Sequence, residues 1–402
     1  MPSETAVPPP KPVRDQRVDF YRGIALAMIF VNHVPGNVWE NYTSRNFGFS
    51  DAAELFVFLA GFASAFAYAR PFLAGAPLLT TLKAWRRAGV LYLVHIMLTM
   101  FAVGLFSWAA LAFGRGDMMM HFGLETFITR PVEVLVGVIT LSHQLGYVNI
   151  LPMYSVILLM LPLHLLLVRT IGRGGMLAAA VLFWLVTGLL RLDIPNFPYP
   201  GGWFFNPFAW QLIFAIGLYC GLTKWQRGAP AVPFNRWLYA LAILYLIGAF
   251  VFVGLEAWGA ERLLGWPFLI SYFDKTFVTL PRLLHVLALI YIFAHAPASS
   301  PLQRVGAGNP FTMLGRHSLP VFALGTALSL IAQVVHFDRP PGFVFDTLLI
   351  SAGLALQFGL AAYLDWWGAA KPGARSRPAA AAGTGGGAPL TPEQTVAAAP
   401  AS

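Results

Sequence analysis

From about residue 18 onward the chain is a succession of long apolar runs separated by short polar breaks. A helix needs roughly 20 apolar residues to cross a bilayer. About ten runs meet that length: 18–36, 52–70, 88–112, 149–168, 175–191, 207–223, 237–255, 277–296, 317–336 and 343–367. They are continuous rather than alternating, which predicts helices and argues against the strands of a membrane barrel. Within the longer connection 113–148, the stretch Val132–Val138 reads as a helix lying at the membrane interface. The expected fold is all-α, a polytopic membrane helix bundle of about ten transmembrane helices. Residues 1–13 are Pro-rich and 371–402 are Ala, Gly and Pro with Ser and Thr, compositions that build no core. They are expected to be a flexible N-terminus and a disordered tail flanking a transmembrane domain over 14–370.

Composition agrees with this pattern. Hydrophobic residues make up 57% and charged residues 11%, against about a quarter charged in soluble domains, and the mean hydropathy is +0.66. The net charge of +9 would suggest nucleic acid in a soluble protein. Here the basic residues lie in short loops, so membrane orientation explains them and no nucleic-acid partner is expected. Assigned to alternate sides, Lys and Arg divide about 18 against 7, which puts both termini in the cytoplasm and supports an even number of spans. The single cysteine, Cys220, excludes an intramolecular disulfide. No signal peptide, P-loop, HExxH or CxxC pattern is present, and no metal or permanently bound cofactor is expected.

Ionisable groups inside apolar runs are costly and usually face the bundle interior. In DFYRGIALAMIFVNH, Arg22 and His33 are eleven residues apart, which puts them within about 20° on one helical stripe and roughly 16 Å apart along the axis. Arg22 faces the cytoplasmic side and His33 the opposite one. Arg22 reads equally as a local partner of Asp19, and His33 as a buried histidine bonded to a neighbouring helix. Asp51 and Glu54 open the next run with the spacing of a capping box. Either carboxylate also fits a role in orienting an imidazole such as His33. Gly61 marks a close helix approach.

Lys83, Arg86 and Arg87 form a basic cluster at the start of the third run, suited to anchoring or to binding phosphates. His95 lies about two turns further in. Arg282 and His285 share a face of the eighth run, about a third of the way in. Arg282 requires a partner, and Asp51, Glu54, Asp274 and a substrate carboxylate are the candidates. Arg316 and His317 open the ninth run, where Arg316 is placed to join the basic cluster. Trp203, Phe204, Phe205, Trp258 and Trp266 fit an aromatic belt or a surface for stacking sugars.

RVDFYRGIALAMIFVNH, NFGFSDAAELFVFLAGFASAFAYA, WRRAGVLYLVH and LGRHSLPVF together resemble the OpgC family over roughly 14–367. These are bacterial inner-membrane proteins associated with succinylation of osmoregulated periplasmic glucans, and they are related to the type 3 membrane acyltransferases. The resemblance implies a multi-pass inner-membrane O-acyltransferase. Its expected donor is an acyl-CoA, succinyl-CoA, bound on the cytoplasmic side, and its expected acceptor is a periplasmic glucan hydroxyl. Asp19, Arg22, Gly23 and His33 match the family's first-helix pattern, and Asp51 and Glu54 its second-helix acidic segment. The related enzymes often show R-x-x-R where this chain has Lys83, Arg86 and Arg87.

The site read from all this has His33, Asp51 and Glu54 as catalytic residues. Arg22, Arg86, Arg87, Arg282, His285 and Arg316 are its substrate-binding residues. Histidine has the pKa range for a base acting on a hydroxyl, or for an acyl relay. Two alternatives remain: a proton-coupled exporter or flippase of acyl or glycan material, using the same groups as a proton relay, and a non-catalytic partner of glucan-synthesis proteins.

Overall fold

The computed structural model describes residues 15–121, 123–259, 265–337 and 339–370. The readings made for residues 1–13 and 371–402 lie outside them. The regular elements among the described residues are all helices, with one isolated bridge between Pro195 and Gly202. The longer helices are α1 (Gln16–Asn32), α2 (Ala52–Leu73), α3 (Pro77–Phe113), α4 (Pro131–Ile139), α5 (Ile150–Leu190), α6 (Pro207–Arg227), α7 (Arg236–Gly254), α8 (Leu280–Ala294), α9 (Pro310–Arg316), α10 (Ser318–His336) and α11 (Phe343–Ala370). Six of them, α2, α3, α5, α7, α10 and α11, are long and apolar enough to cross a membrane. The remaining expected runs fall on α1, α6 and α8, and the stretch Val132–Val138 falls on α4.

Local chemistry sets the ends. Asp15, Asn206, Asn235 and Asn309 each cap a helix by accepting a backbone N–H, and Pro follows the cap at α6 and α9, where its fixed φ suits the first turn. Helix α3 starts eleven residues before the apolar run at 88, at Pro77. Lys83, Arg86 and Arg87 therefore lie inside it, because charge ends an apolar run but not a helix. The runs 149–168 and 175–191 are two arms of α5, which bends at Gly172 where φ is 76° and ψ 171°.

The core centres on α6, whose Trp210, Phe214, Leu218 and Leu222 are fully buried. Helices α2 and α6 meet backbone to backbone. A Cβ on Gly61 would strike the Phe214 carbonyl, one on Gly217 the Phe58 carbonyl, and one on Gly221 the Phe62 carbonyl. Small residues let membrane helices gain dispersion energy at close range, as expected at Gly61. The same device joins α1 to α9: Gly23 abuts the Phe311 carbonyl and Gly315 the Asp19 carbonyl. The glycines of DFYRG and LGRHS are thus two halves of one contact. Helix α7 is the opposite case. Leu241, Leu244, Ile247 and Phe250 are exposed, and its Tyr245 hydroxyl donates to the Pro281 carbonyl at 3.0 Å to tie it to α8.

Candidate active site

His33 is the residue after α1, where the helical hydrogen bonds run out. Its carbonyl accepts the Gln333 side-chain amide of α10 at 2.5 Å. The ring packs edge-on to Tyr147 at 4.9 Å. It is partly exposed, yet its Nδ1 is enclosed without a hydrogen-bond partner. Tyr147 itself sits at φ 68°, a left-handed conformation that costs a non-glycine residue on the order of 1–2 kcal/mol. Lys275 and Asp51 are the charged side chains whose fields reach the imidazole.

Near it lies a set of four charges, of which Glu54 is fully buried and Asp51, Lys275 and Arg282 are partly so. Asp51 caps α2 by accepting Ala53 N–H at 2.8 Å, and Glu54 accepts Asp51 N–H at 3.0 Å, completing the capping box. Glu54 is fully buried and holds Arg282 through Nε at 2.9 Å and Nη2 at 2.5 Å. Asp51 pairs with Lys275 and lies 3.9 Å from Arg282. Two carboxylates thus meet two cations. Neither carboxylate bonds to His33, so the expectation that one of them orients the imidazole is not met: both are occupied by cations. Arg282 is the third residue of α8 rather than a third of the way in, because that helix begins at Leu280. His285 on the same helix faces Ser50, with Oγ–Nδ1 2.7 Å.

Lys275 and Ser50 were not singled out by the sequence. Lys275 looks like an ordinary loop cation, yet its loop is pinned by the indole N–H groups of Trp210, to the Lys275 carbonyl at 3.0 Å, and Trp184, to Phe277 at 3.0 Å. Its ammonium also sits 5.2 Å from the Phe205 ring centre. Of the five loop aromatics, Trp203 and Phe205 are buried, while Phe204, Trp258 and Trp266 remain exposed. In the same loop as Phe205, burial pushes the Asp193 carboxyl up to about 6, with Asp274 adding to the shift and backbone N–H bonds opposing it.

A second pair also escaped the sequence. His336, at the end of α10, meets Asp346 of α11 at 3.0 Å, and Asp346 further accepts Val38 N–H at 2.9 Å and Gly342 N–H at 3.2 Å. Both side chains are buried. The pair anchors the segment that follows His33.

The other end of α1 carries Arg22, which donates to the Leu59 carbonyl at 2.8 Å and lies 4.0 Å from Asp19. Arg22, Arg87, Tyr154 and Ser318 line a cavity of about 120 Å³ between α1, α2, α3, α5 and α10. Arg22 and Arg87 are the two guanidiniums there that suit an anionic group. Arg86 is exposed on the outer face of α3. Arg316 does not join this cluster: it pairs with Asp365 of α11 at 2.7 Å, and His317 takes the other oxygen at 2.7 Å. His95 is wholly buried, its Nδ1 at 3.3 Å from the Val148 carbonyl.

Compared with known proteins, the chain matches the family model described as OpgC protein over residues 14–369. No curated protein matches it. No solved structure matches it.

Proposed function

Because the chain belongs to the OpgC family, we propose that it is a membrane O-acyltransferase that moves a succinyl group from cytoplasmic succinyl-CoA to hydroxyls of periplasmic glucans. In this reading about ten helices cross a bacterial inner membrane with both termini in the cytoplasm. Arg22 and Arg87 then serve the donor and His33 the acceptor. One observation carries it. Among the described histidines, His33 alone combines partial exposure with an enclosed ring nitrogen that no protein group has claimed. His336 and His317 hold aspartates, His285 holds Ser50, His164 holds Gln211 and His295 the Val232 carbonyl. His95 and His143 are sealed from any substrate.

The chemistry balances without a redox partner. His33 accepts the proton of a glucan hydroxyl as its oxygen attacks the thioester carbonyl. The new C–O bond replaces the C–S bond, and the CoA thiolate leaves and takes the proton from the imidazole. The paired charges near His33 supply fixed dipoles for the developing oxyanion.

Replacing His33 by Gln should lower succinyl transfer from succinyl-CoA to glucan in proteoliposomes by about 10²–10⁴-fold, with an unchanged melting temperature. An undiminished rate would remove His33 from the mechanism. The four charges also suit the exporter reading; glycan crossing the liposome membrane with no covalent succinyl would favour it.

A further inference from the structure

On the face of α1 and α2 away from Arg22 lies a second cavity, of about 650 Å³. Its walls are apolar, with Phe58 and Phe62 from α2, Ile216 from α6, Leu241 from α7, and Leu287 and Ile290 from α8. It runs along α8 from Leu284 to Ala294, roughly 15 Å of helix. The charges are confined to one end, where Asp15, Arg17 and Lys224 sit. Arg17 is neutralised there: Asp15 takes two of its nitrogens, at 3.0 and 2.7 Å, and Gln303 a third at 2.5 Å. Lys224 leaves that end with a net positive charge, since Asp15, whose field also reaches it, is already hydrogen-bonded to Arg17. It bonds the Gly228 carbonyl at 3.3 Å, and no ion pair among the described residues engages it. The mouth is therefore cationic and the throat dry. The outer wall, α7, is the least buried of the six helices long and apolar enough to cross a membrane.

We propose that this cavity binds an anionic phospholipid, with one acyl chain lying beneath α7 and the phosphate at Lys224. Charge complementarity at the mouth and a throat without demand for hydrogen bonds select this occupant. An acyl-CoA arm is a poorer fit, because its amide groups would lose water along the throat. Tyr245 there already donates to Pro281, which leaves few partners. The lipid would fill the gap between α7 and the four helices it faces. This site is separate from the reaction proposed at His33 and stands or falls independently of it.

The sole cysteine, Cys220, lines this cavity and reports on it. The full chain would be purified in detergent, exposed to phosphatidylglycerol or phosphatidylcholine vesicles, and studied by native mass spectrometry and by maleimide labelling of Cys220. One phosphatidylglycerol should be retained per chain, and labelling of Cys220 should slow several-fold. Ala288→Trp, which fills the throat, should lose the lipid. Lys224→Gln, at the rim and neutral to folding, should lose the preference over phosphatidylcholine. The proposal is overturned if no phospholipid is retained, if Lys224→Gln keeps the preference, or if succinyl-CoA protects Cys220 in detergent while phosphatidylglycerol does not.

Discussion

Helices α10 and α11 are joined at each end by a histidine and an aspartate. At the His33 end, His336 meets Asp346 with both side chains buried. At the opposite end, His317 meets Asp365 with the two about a quarter and a third exposed, and Arg316 shares the carboxylate. The residues are alike; the surroundings are not. Asp346 is itself fully buried and also accepts two backbone N–H groups, from Val38 and Gly342, whereas Asp365 competes with solvent. The same contrast holds for the ions around them. Glu54 is fully buried and Arg282 is 12% exposed, but Arg316 and Asp365 are each about a third exposed at the rim. An ion pair or dyad in this bundle should therefore matter in proportion to what it leaves unsatisfied when cut, which puts the sensitive end beside His33.

The sharpest way to break that comparison is Glu54→Ala. It takes away both hydrogen bonds of the Arg282 guanidinium to Glu54, leaving it only the looser Asp51 contact at 3.9 Å, removes the acceptor of Asp51 N–H, and should cost about 3 kcal/mol or more. Thermal unfolding in micelles reads it. A double change, Glu54→Leu with Arg282→Met, should recover much of the loss, since a buried pair replaced by apolar groups can be neutral. A single variant as stable as the parent would show that burial is not what separates the two ends.

Asp346→Ala comes next. It leaves Val38 N–H, Gly342 N–H and His336 without acceptors, each worth about 1–3 kcal/mol when buried. A net loss of about 3 kcal/mol is expected after local relaxation. Because Val38 lies five residues beyond His33, glucan acylation should fall more than stability alone explains. Equal losses in both would confine Asp346 to holding the fold.

Much of this contrast could not be read from the chain. The helices were legible because apolar runs of span length are rare outside membranes, and the Asp51/Glu54 capping box because its spacing is local. The shared stripe of Arg22 and His33 follows from helical angle alone. What sequence hides is the distant partner. Lys275 is 224 residues from Asp51 and sits in a polar loop, so nothing near it announces a buried ion pair. His336 is the last residue of one expected run and Asp346 the fourth of the next, so each looks like a polar group at the end of a span, and nothing local names the other as its partner. Whether a carboxylate reaches an imidazole or a cation depends on packing of α2 against α8, which periodicity does not encode. The start of α3 was missed for a simpler reason: a bilayer edge and a helix end are different things.

Asp193 tests an intermediate burial. Its ordinary value of 3.8 is raised to about 6, so the folded protein favours the protonated acid. Its stabilising effect is complete below about pH 4 and is lost as pH rises through 6. The shift of about two units corresponds to about 3 kcal/mol, which solvent screening at this half-buried position reduces to about 1 kcal/mol. Asp193→Asn keeps an acceptor for Ile194 N–H, should be about 1 kcal/mol more stable than the parent at pH 7, and should flatten the melting-temperature profile between pH 4 and 6. A profile unchanged by the substitution would place its titration elsewhere.

The smallest effect is expected at Asp365. Asp365→Asn removes a charge from two contacts, yet Arg316 still donates to the Ala307 carbonyl at 3.2 Å, and His317 gains an acceptor in the amide oxygen. Solvent supplies the rest. The loss should be about 0–1 kcal/mol and should shrink further as salt rises from 0.05 to 0.5 M, since exposed pairs are screened and buried ones are not. Measured beside Glu54→Ala across the same salt series, the two slopes separate screening from desolvation. A salt-independent loss of several kcal/mol at Asp365 would mean that this rim is sealed in the membrane, and that the two ends of the α10–α11 hairpin are alike after all.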